Sequence, residues 1–308
     1  MRDLQERLGY LVLAATAVAY FAVYTTSLGR PPGSFDYLAI LNTTMPLVLV
    51  AVGQSLVVIT GGIDLSVGGV VSVCVAVTAA TGGTPGWILA VLALGAAAGL
   101  VNGVIVAFGR IAPILTTLAT LSIYTGAALW ILPVPGGSIL PGVRAVLSNP
   151  GVPTGLAWLA LVVAGWWVLR RTRFGMRVYA VGSDETAARA VGVPVERVKA
   201  GVYALSGLCS ALAGVFYVST TTAGDANAGA PFILTSIASV VVGGVAFSGG
   251  RGSAMGAVAG AVALTLVIDV LFFAGIDPLY QSLFQGLFLV VAVLLGTAAA
   301  LLARRRTA

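Results

Sequence analysis

Charged side chains make up only 8% of the 308 residues and histidine is absent, whereas soluble domains carry about 25% charged residues. With 59% hydrophobic residues and a mean hydropathy of +1.05, that scarcity excludes a soluble globular fold. Cysteine is nearly missing too. Cys74 and Cys209 both lie inside apolar runs without metal-ligand spacing, which excludes a disulfide framework and a zinc site and leaves both as core packing residues. No G-x-x-x-x-G-K-[ST] run occurs, and the single lysine, Lys199, follows no glycine loop. The chain therefore has no nucleotide site of its own, and if ATP energises its work another chain hydrolyses it. Strict apolar/polar alternation is also lacking, which argues against a membrane β-barrel.

What is present is length enough for about ten apolar spans of roughly 20 residues. Reading along the chain, they fall at about 8–28, 37–60, 65–82, 87–109, 111–133, 154–170, 199–220, 230–248, 253–275 and 279–303. The expectation is an all-α, polytopic membrane bundle forming a single domain over residues 1–308. At about 20 residues the first segment exceeds the 7–15-residue core of a secretory signal and reads as an uncleaved span.

The net charge of +6 could suggest nucleic-acid binding on a soluble fold, but fifteen of the sixteen basic residues are Arg and most sit in short loops between apolar runs. No nucleic-acid partner is expected. With both termini cytoplasmic, fourteen basic residues fall inside and only Arg30 and Arg144 outside, a bias that supports the N-in, C-in orientation and an even span count.

The 40 glycines are nearly twice the usual share of about 7%. Gly95, Gly99 and Gly103 on the fourth segment, and Gly252, Gly256 and Gly260 at the ninth, form small-xxx-small stripes for close helix contact. Gly61-Gly62-Ile63-Asp64-Leu65-Ser66 is echoed by Gly243-Gly244-Val245-Ala246-Phe247-Ser248, a hint of internal duplication. At the first of these, two spans meet with almost no loop, so the backbone must break. Asp64 is placed to cap the third span, or the break lines a pathway or touches a partner at the cytoplasmic mouth. Gly62, Asp64, Ser66 and Gly68, with Gly250 and Arg251 at the second break, are the residues singled out there.

Inside the spans the clear ionisable residue is Asp269, which could be a protonated core group, a hydrogen-bond acceptor for a polar substrate or a coupling acid. Otherwise the spans offer Asn42, Thr43, Thr44, Gln54, Ser55, Asn102, Thr116, Thr117, Thr120, Tyr124, Ser236, Ser239, Gln281 and Gln285. Hydroxyls and amides suit a neutral, polyhydroxylated solute better than an ion. The candidate pathway set is Asn42, Gln54, Asn102, Thr120, Ser236, Asp269 and Gln281.

The most charged segment is the loop from Arg170 to Lys199. Ser183 can cap a short helix there, with Asp184 and Glu185 in its first turn and Gly192 and Pro194 ending it. The segment is either a solvated connection or a docking element, and Ala187, Ala188, Val191 and Val193 give the helix an apolar side that favours the second.

At these residues the sequence resembles the permease subunits of ribose-type sugar importers of the ATP-binding-cassette class, within the group that also holds branched-chain amino acid and nucleoside permeases. The resemblance runs from about Asn42 to Leu295. It rests on Gly62-Ile63-Asp64-Leu65-Ser66-Val67-Gly68, Asn102-Gly103, Gly109-Arg110, Thr172-Arg173-Phe174-Gly175, Tyr179-Ala180-Val181-Gly182, Ala187-Ala188-Arg189 with Gly192, Val241-Val242-Gly243-Gly244 and Gly249-Gly250-Arg251-Gly252.

It implies a subunit of about ten spans in the bacterial cytoplasmic membrane, without catalytic residues, metal or cofactor of its own. It pairs with a second permease subunit, identical or paralogous, over two ATPase domains, and an extracytoplasmic binding protein delivers the sugar. Glu185 to Gly192, preceded by Asp184 and including Ala187, Ala188 and Arg189, would be the coupling segment on the ATPase. Asp269 departs from the neutral amide expected in ribose-type members and leaves a different sugar, a polyol or a nucleoside open. A self-sufficient secondary transporter is disfavoured by the scarcity of intramembrane charge.

Overall fold

A bilayer offers the backbone no water to bond with, so each long apolar run satisfies its amides on its own helical ladder. The computed structural model describes residues 2–149 and 151–277 with 280, 283, 284, 286, 287 and 290, and side chains from residue 9 onward. In chain order the helices are α1 (Arg2–Leu28), α2 (Ser34–Ile59), α3 (Val67–Ala80), α4 (Pro85–Ala107), α5 (Pro113–Ile131), α6 (Pro141–Ser148), α7 (Thr154–Arg171), α8 (Arg173–Ser183), α9 (Glu185–Ala190), α10 (Val195–Thr221), α11 (Ala230–Val242) and α12 (Ala254–Phe273).

Six of these, in α1, α2, α4, α5, α10 and α12, are long and apolar enough to cross a membrane. The chain is thus an all-α polytopic membrane bundle. The spans expected at 65–82 and 230–248 are helices of only 14 and 13 residues, because irregular backbone at the two breaks and before α11 takes up the rest. The span expected at 279–303 falls, but for a few isolated positions, outside the described residues, as do Gln281, Gln285 and the terminal arginines.

Two further corrections concern the charged segment. α10 begins at Val195 and not near residue 199, since Pro194 stands at its N-cap and Val195 and Val198 are buried. Ahead of it lie two helices where one was expected. α8 is capped by Thr172, whose hydroxyl accepts from the Gly175 amide at 3.1 Å. Its arginines disguised an apolar face of Phe174, Val178 and Val181, spaced at i, i+4 and i+7.

α2 runs through the middle of the bundle, nearly buried along its length, with α10, α12, α11 and α7 around it. α4 packs on α10 with backbone against backbone. A Cβ at Gly99 would strike the Tyr203 carbonyl, and one at Gly207 would strike Gly95 and Gly99. The stripe Gly95, Gly99 and Gly103 thus serves the contact its spacing implied. In the second stripe Gly256 and Gly260 lie on Gly243 and Ser239 of α11, but Gly252 precedes α12 and is not on the helix. α1 is peripheral and rests on α12, where the Phe273 ring meets Tyr24 at 4.8 Å and Tyr20 at 6.1 Å. α5 rests on α3 through Gly69, and the Tyr124 hydroxyl donates to the Ala98 carbonyl at 3.1 Å.

The breaks after α2 and α11 close alike. The amides of Gly61 and Gly62 donate to Val58 and Val57 carbonyls at 2.9 and 3.0 Å, and those of Gly244 and Val245 donate to Val241 and Val240 at 2.9 and 3.0 Å. Gly61 and Gly244 carry the left-handed φ of 81° and 78° that this ending requires. The geometric match pairs Gly61 with Gly244, one residue out of step with the match read from sequence.

Asp64 ties the break to its neighbours and does not cap the amides of α3. Its Oδ1 accepts from the Ser66 amide at 3.0 Å and the Ser66 hydroxyl at 2.6 Å, while Oδ2 accepts from the Ser206 hydroxyl of α10 at 3.0 Å. Asn102 of α4 donates from Nδ2 to Ser66 Oγ at 2.7 Å, and the Leu65 amide donates to Thr117 Oγ1 of α5 at 3.1 Å. α3, α4, α5 and α10 are therefore tied to one buried break. The N-cap position itself falls to Ser66, so the expected carboxylate cap on the helix amides is not formed.

Asp64→Leu should strand two buried hydroxyls and an amide, at a cost on the order of 1–3 kcal/mol for each group left unpaired, while Asp64→Asn keeps part of the set and costs less. Thermal melting of the purified chain in detergent should rank wild type above Asn above Leu. Gly207→Leu is expected to cost about 3 kcal/mol or more, because its obstacle is backbone and cannot turn aside.

Candidate functional site at the helix breaks and the α8–α9 segment

α9 starts at Asp184, whose Oδ1 accepts from the Ala187 amide at 2.9 Å, and not at Ser183, which closes α8. It ends where the sequence indicated. Gly192, with φ of 81°, turns the chain so that its amide donates to Arg189 and that of Val193 to Ala188, both at 3.0 Å. Ion pairs then fix α9 on the first turns of α10. Glu185 accepts from Arg189 and Lys199, and Arg189 also donates to Glu196.

The short helix has two distinct sides. Ala188 is buried in the main core, whereas Ala187, Ala190 and Val191 are exposed, Val191 at 79%. The two alanines chosen from sequence as a pair thus face opposite ways: Ala188 seats the helix on its own chain, and Ala187 belongs to its free side.

The second half of α8 sits directly against both helix breaks. The Gly250 amide donates to the Ile59 carbonyl, the last of α2, at 2.9 Å. Gly182 lies so close to this bond that a Cβ there would strike the Ile59 oxygen and the Gly250 nitrogen, and Ser183 lies against Gly250. One turn earlier, the Tyr179 hydroxyl donates to the Gly252 carbonyl at 2.7 Å. Gly250 and Arg251 therefore gather with α8 at the end of α2, Arg251 accepting the Ala246 amide through its carbonyl at 3.2 Å, whereas Gly62 lies against Tyr203 of α10 and Asp64 and Ser66 are joined to Ser206 and Asn102. Tyr179, Gly182 and Ser183 were not chosen from sequence as site residues, although the Tyr179 to Gly182 stretch carried the resemblance.

The candidate pathway residues do not converge. Asn42 accepts from Thr154 of α7 at 3.4 Å, Asn102 is committed to Ser66, and the hydroxyls of Thr120 and Ser236 bond carbonyls of their own helices. Gln54 is wholly buried in α2 with neither amide atom hydrogen-bonded. Asp269 sits on α12 one turn before Phe273, on the side of the α1 cluster, with a buried Oδ2 that has no partner. Gln281 lies outside the described residues. A cavity of about 390 Å³ lies elsewhere, between α3, α5 and the segment preceding α11. Of the residues chosen from sequence only Gly68 lines it. The hydroxyls at Ser122 and Thr125, three apart on α5, were the available signal, but nothing in one sequence says which face of α5 is open. Among the described residues no group of acids and cysteines is placed to hold a metal.

Comparison with known proteins bears on the same residues. The family model described as the branched-chain amino acid transport system / permease component matches residues 37–293. The ribose import permease protein RbsC of Escherichia coli (strain K12) is 36% identical over 267 residues, 83% of each chain. RbsC of Bacillus subtilis (strain 168) is 36% identical over 282 residues, 86% of each. The autoinducer 2 import system permease protein LsrC of Enterobacter sp. (strain 638) is 36% identical over 307 residues, 96% of this chain and 86% of LsrC. No solved structure matches. On these matches, and with six helices able to cross a membrane, the chain belongs to the family of branched-chain amino acid transport system permease components, a multi-pass membrane protein that serves as a transport component.

Proposed function

We propose that this chain is the membrane subunit of an ATP-binding-cassette importer for a neutral monosaccharide or a close relative, lying in the bacterial cytoplasmic membrane with both termini inside. A separate ATPase subunit drives it, an extracytoplasmic binding protein supplies the solute, and a second permease subunit completes the pathway. The observation that carries the reading is the seating of α8 on the breaks that end α2 and α11, with α9 held between α8 and α10. An importer must let ATPase closure bias a membrane rearrangement, and that needs one element in contact with both. On this reading Ala187, Ala190 and Val191 meet the ATPase, Asp184 and Gly192 shape the two ends of α9, and Glu185, Arg189 and Ala188 hold it on α10 and the core. The sugar preference rests on the relatives' names, ribose and autoinducer 2.

Ala187→Trp or Val191→Glu should leave thermal stability of the isolated permease unchanged, lower ATPase retention on purification, and cut uptake in reconstituted importers at least tenfold. Ala188→Trp should instead melt early, because its site is filled by the chain itself. Normal uptake with Val191→Glu would overturn the docking assignment. Glu185→Ala should be mild, since exposed pairs contribute about 0–1 kcal/mol.

Orientation is read separately. A cysteine replacing exposed Arg144 should react with an impermeant thiol reagent added outside intact cells, and one replacing exposed Arg177 only after the membrane is opened. Outside labelling at position 177 would reverse the orientation and remove the ATPase from α9.

A further inference from the structure

The cavity beside α3 is built unlike the rest of the bundle. One wall is the stripe Gly68 and Ser72 on α3, the second is α5 with Ser122, Thr125 and Leu129, and the third is Asn227 in the irregular segment 222–229. That segment lies along α3. Gly224 sits against Val75 and Ala79, Gly229 against Gly68, and the Gly229 amide donates to Ser72 Oγ at 3.1 Å. α3 has 14 residues and is about 21 Å long, too short for the roughly 30 Å hydrocarbon layer by itself, so the irregular segment stands beside the membrane part of the bundle. Non-helical backbone at that depth is tolerated only where protein covers it or where it lines a water-filled cavity.

Two features favour water over lipid. Among the described residues the Thr125 hydroxyl and the Asn227 side-chain amide have no hydrogen-bond partner in the chain, and Asn227 is exposed. Turned to hydrocarbon, an unpaired amide would cost several kcal/mol. The remaining lining, Leu121, Leu129 and Ile233, is apolar. A volume near 390 Å³ lies at the small end of the roughly 300–1,000 Å³ of small-molecule pockets. An apolar floor with a few convergent amide and hydroxyl groups suits a solute with a C–H face and a rim of hydroxyls, and does not suit an ion.

We propose that this cavity is where the translocated monosaccharide meets the permease, with Thr125, Ser122 and Asn227 bonding its hydroxyls and Leu129 and Ile233 under its apolar face. The assignment rests on the importer reading above and adds the substrate-contacting residues, none of which belongs to the set expected from sequence.

Single cysteines at Ser122, Thr125 and Asn227, in a chain with Cys74→Ala and Cys209→Ala, separate water from lipid without reference to the solute. In proteoliposomes holding permease, ATPase and binding protein, a permanently charged methanethiosulfonate should modify Ser122→Cys and Thr125→Cys at least tenfold faster than Leu161→Cys on the exposed face of α7, since only a thiolate reacts and it forms only in water. Equal rates overturn the proposal. With radiolabelled D-ribose as first probe and a panel of monosaccharides after it, Thr125→Val and Asn227→Leu should each cut uptake about fivefold or more, with permease and ATPase still co-purifying. Thr125→Ser should restore uptake, as a purely structural role for the threonine methyl would not allow. Undiminished uptake with both substitutions overturns the contact assignment. If wild type imports no monosaccharide, the sugar reading falls, and the thiol rates still decide whether the cavity is aqueous.

Discussion

A helix cannot stop in the buried interior of a bundle unless the amides and carbonyls it releases find partners in the protein, and this chain ends α2 and α11 at such breaks. The first break is satisfied by a single carboxylate. Asp64 takes three donors, from Ser66 and Ser206, and through Ser66 it reaches Asn102. The carbonyl released at Ile59 is taken by the Gly250 amide from the second break, so each break supplies what the other lacks. Packing follows from this. α4 can lie close enough to α10 to reach the break only because Gly95, Gly99, Gly103 and Gly207 bring backbone to backbone.

The six long spans, in α1, α2, α4, α5, α10 and α12, were legible because apolar length is a one-dimensional property. So were the glycine stripe of α4 and the end of α9 at Gly192, each fixed by local geometry. What was missed depends on partners distant in sequence. α8 was hidden because Arg173 and Arg177, next to Arg170 and Arg171 at the end of α7, mark the stretch as a charged loop, although Phe174, Val178 and Val181 keep helical spacing. The Asp64 carboxylate was read as a local cap, and its bond to Ser206, 142 residues away, has no sequence signal. The pathway set failed to converge for a related reason. Polar residues in a bundle mostly bond their own backbone or a neighbouring helix, as Thr120 and Asn42 do, and one sequence cannot separate these from residues on an open face.

Ala187 and Ala188 show the limit sharply. Adjacent helical positions are about 100° apart, so small size alone does not say whether both members of a pair face one partner. The fold spends Ala188 on its own core and leaves Ala187 outside. Chain topology, through the ion pairs of Glu185 and Arg189 with α10, decides which is which.

Magnitudes then locate the element that transmits force. Driving a two-state equilibrium from 1:99 to 99:1 takes about 5.5 kcal/mol. The ion pairs that hold α9 are exposed, each contributes about 0–1 kcal/mol, and together they fall short. Steric contact behaves differently, because a backbone pressed on backbone has no soft coordinate. At Gly182 the α8 backbone lies against the Ile59–Gly250 bond with no room for a methyl group, and the Tyr179 hydroxyl holds Gly252 from the same helix. If an ATPase docks on α9 as proposed, a displacement of α9 would reach the ends of α2 and α11 through α8 as a rigid push. The salt bridges keep α9 in register with α10, and the glycine contact at the two breaks carries the load between them.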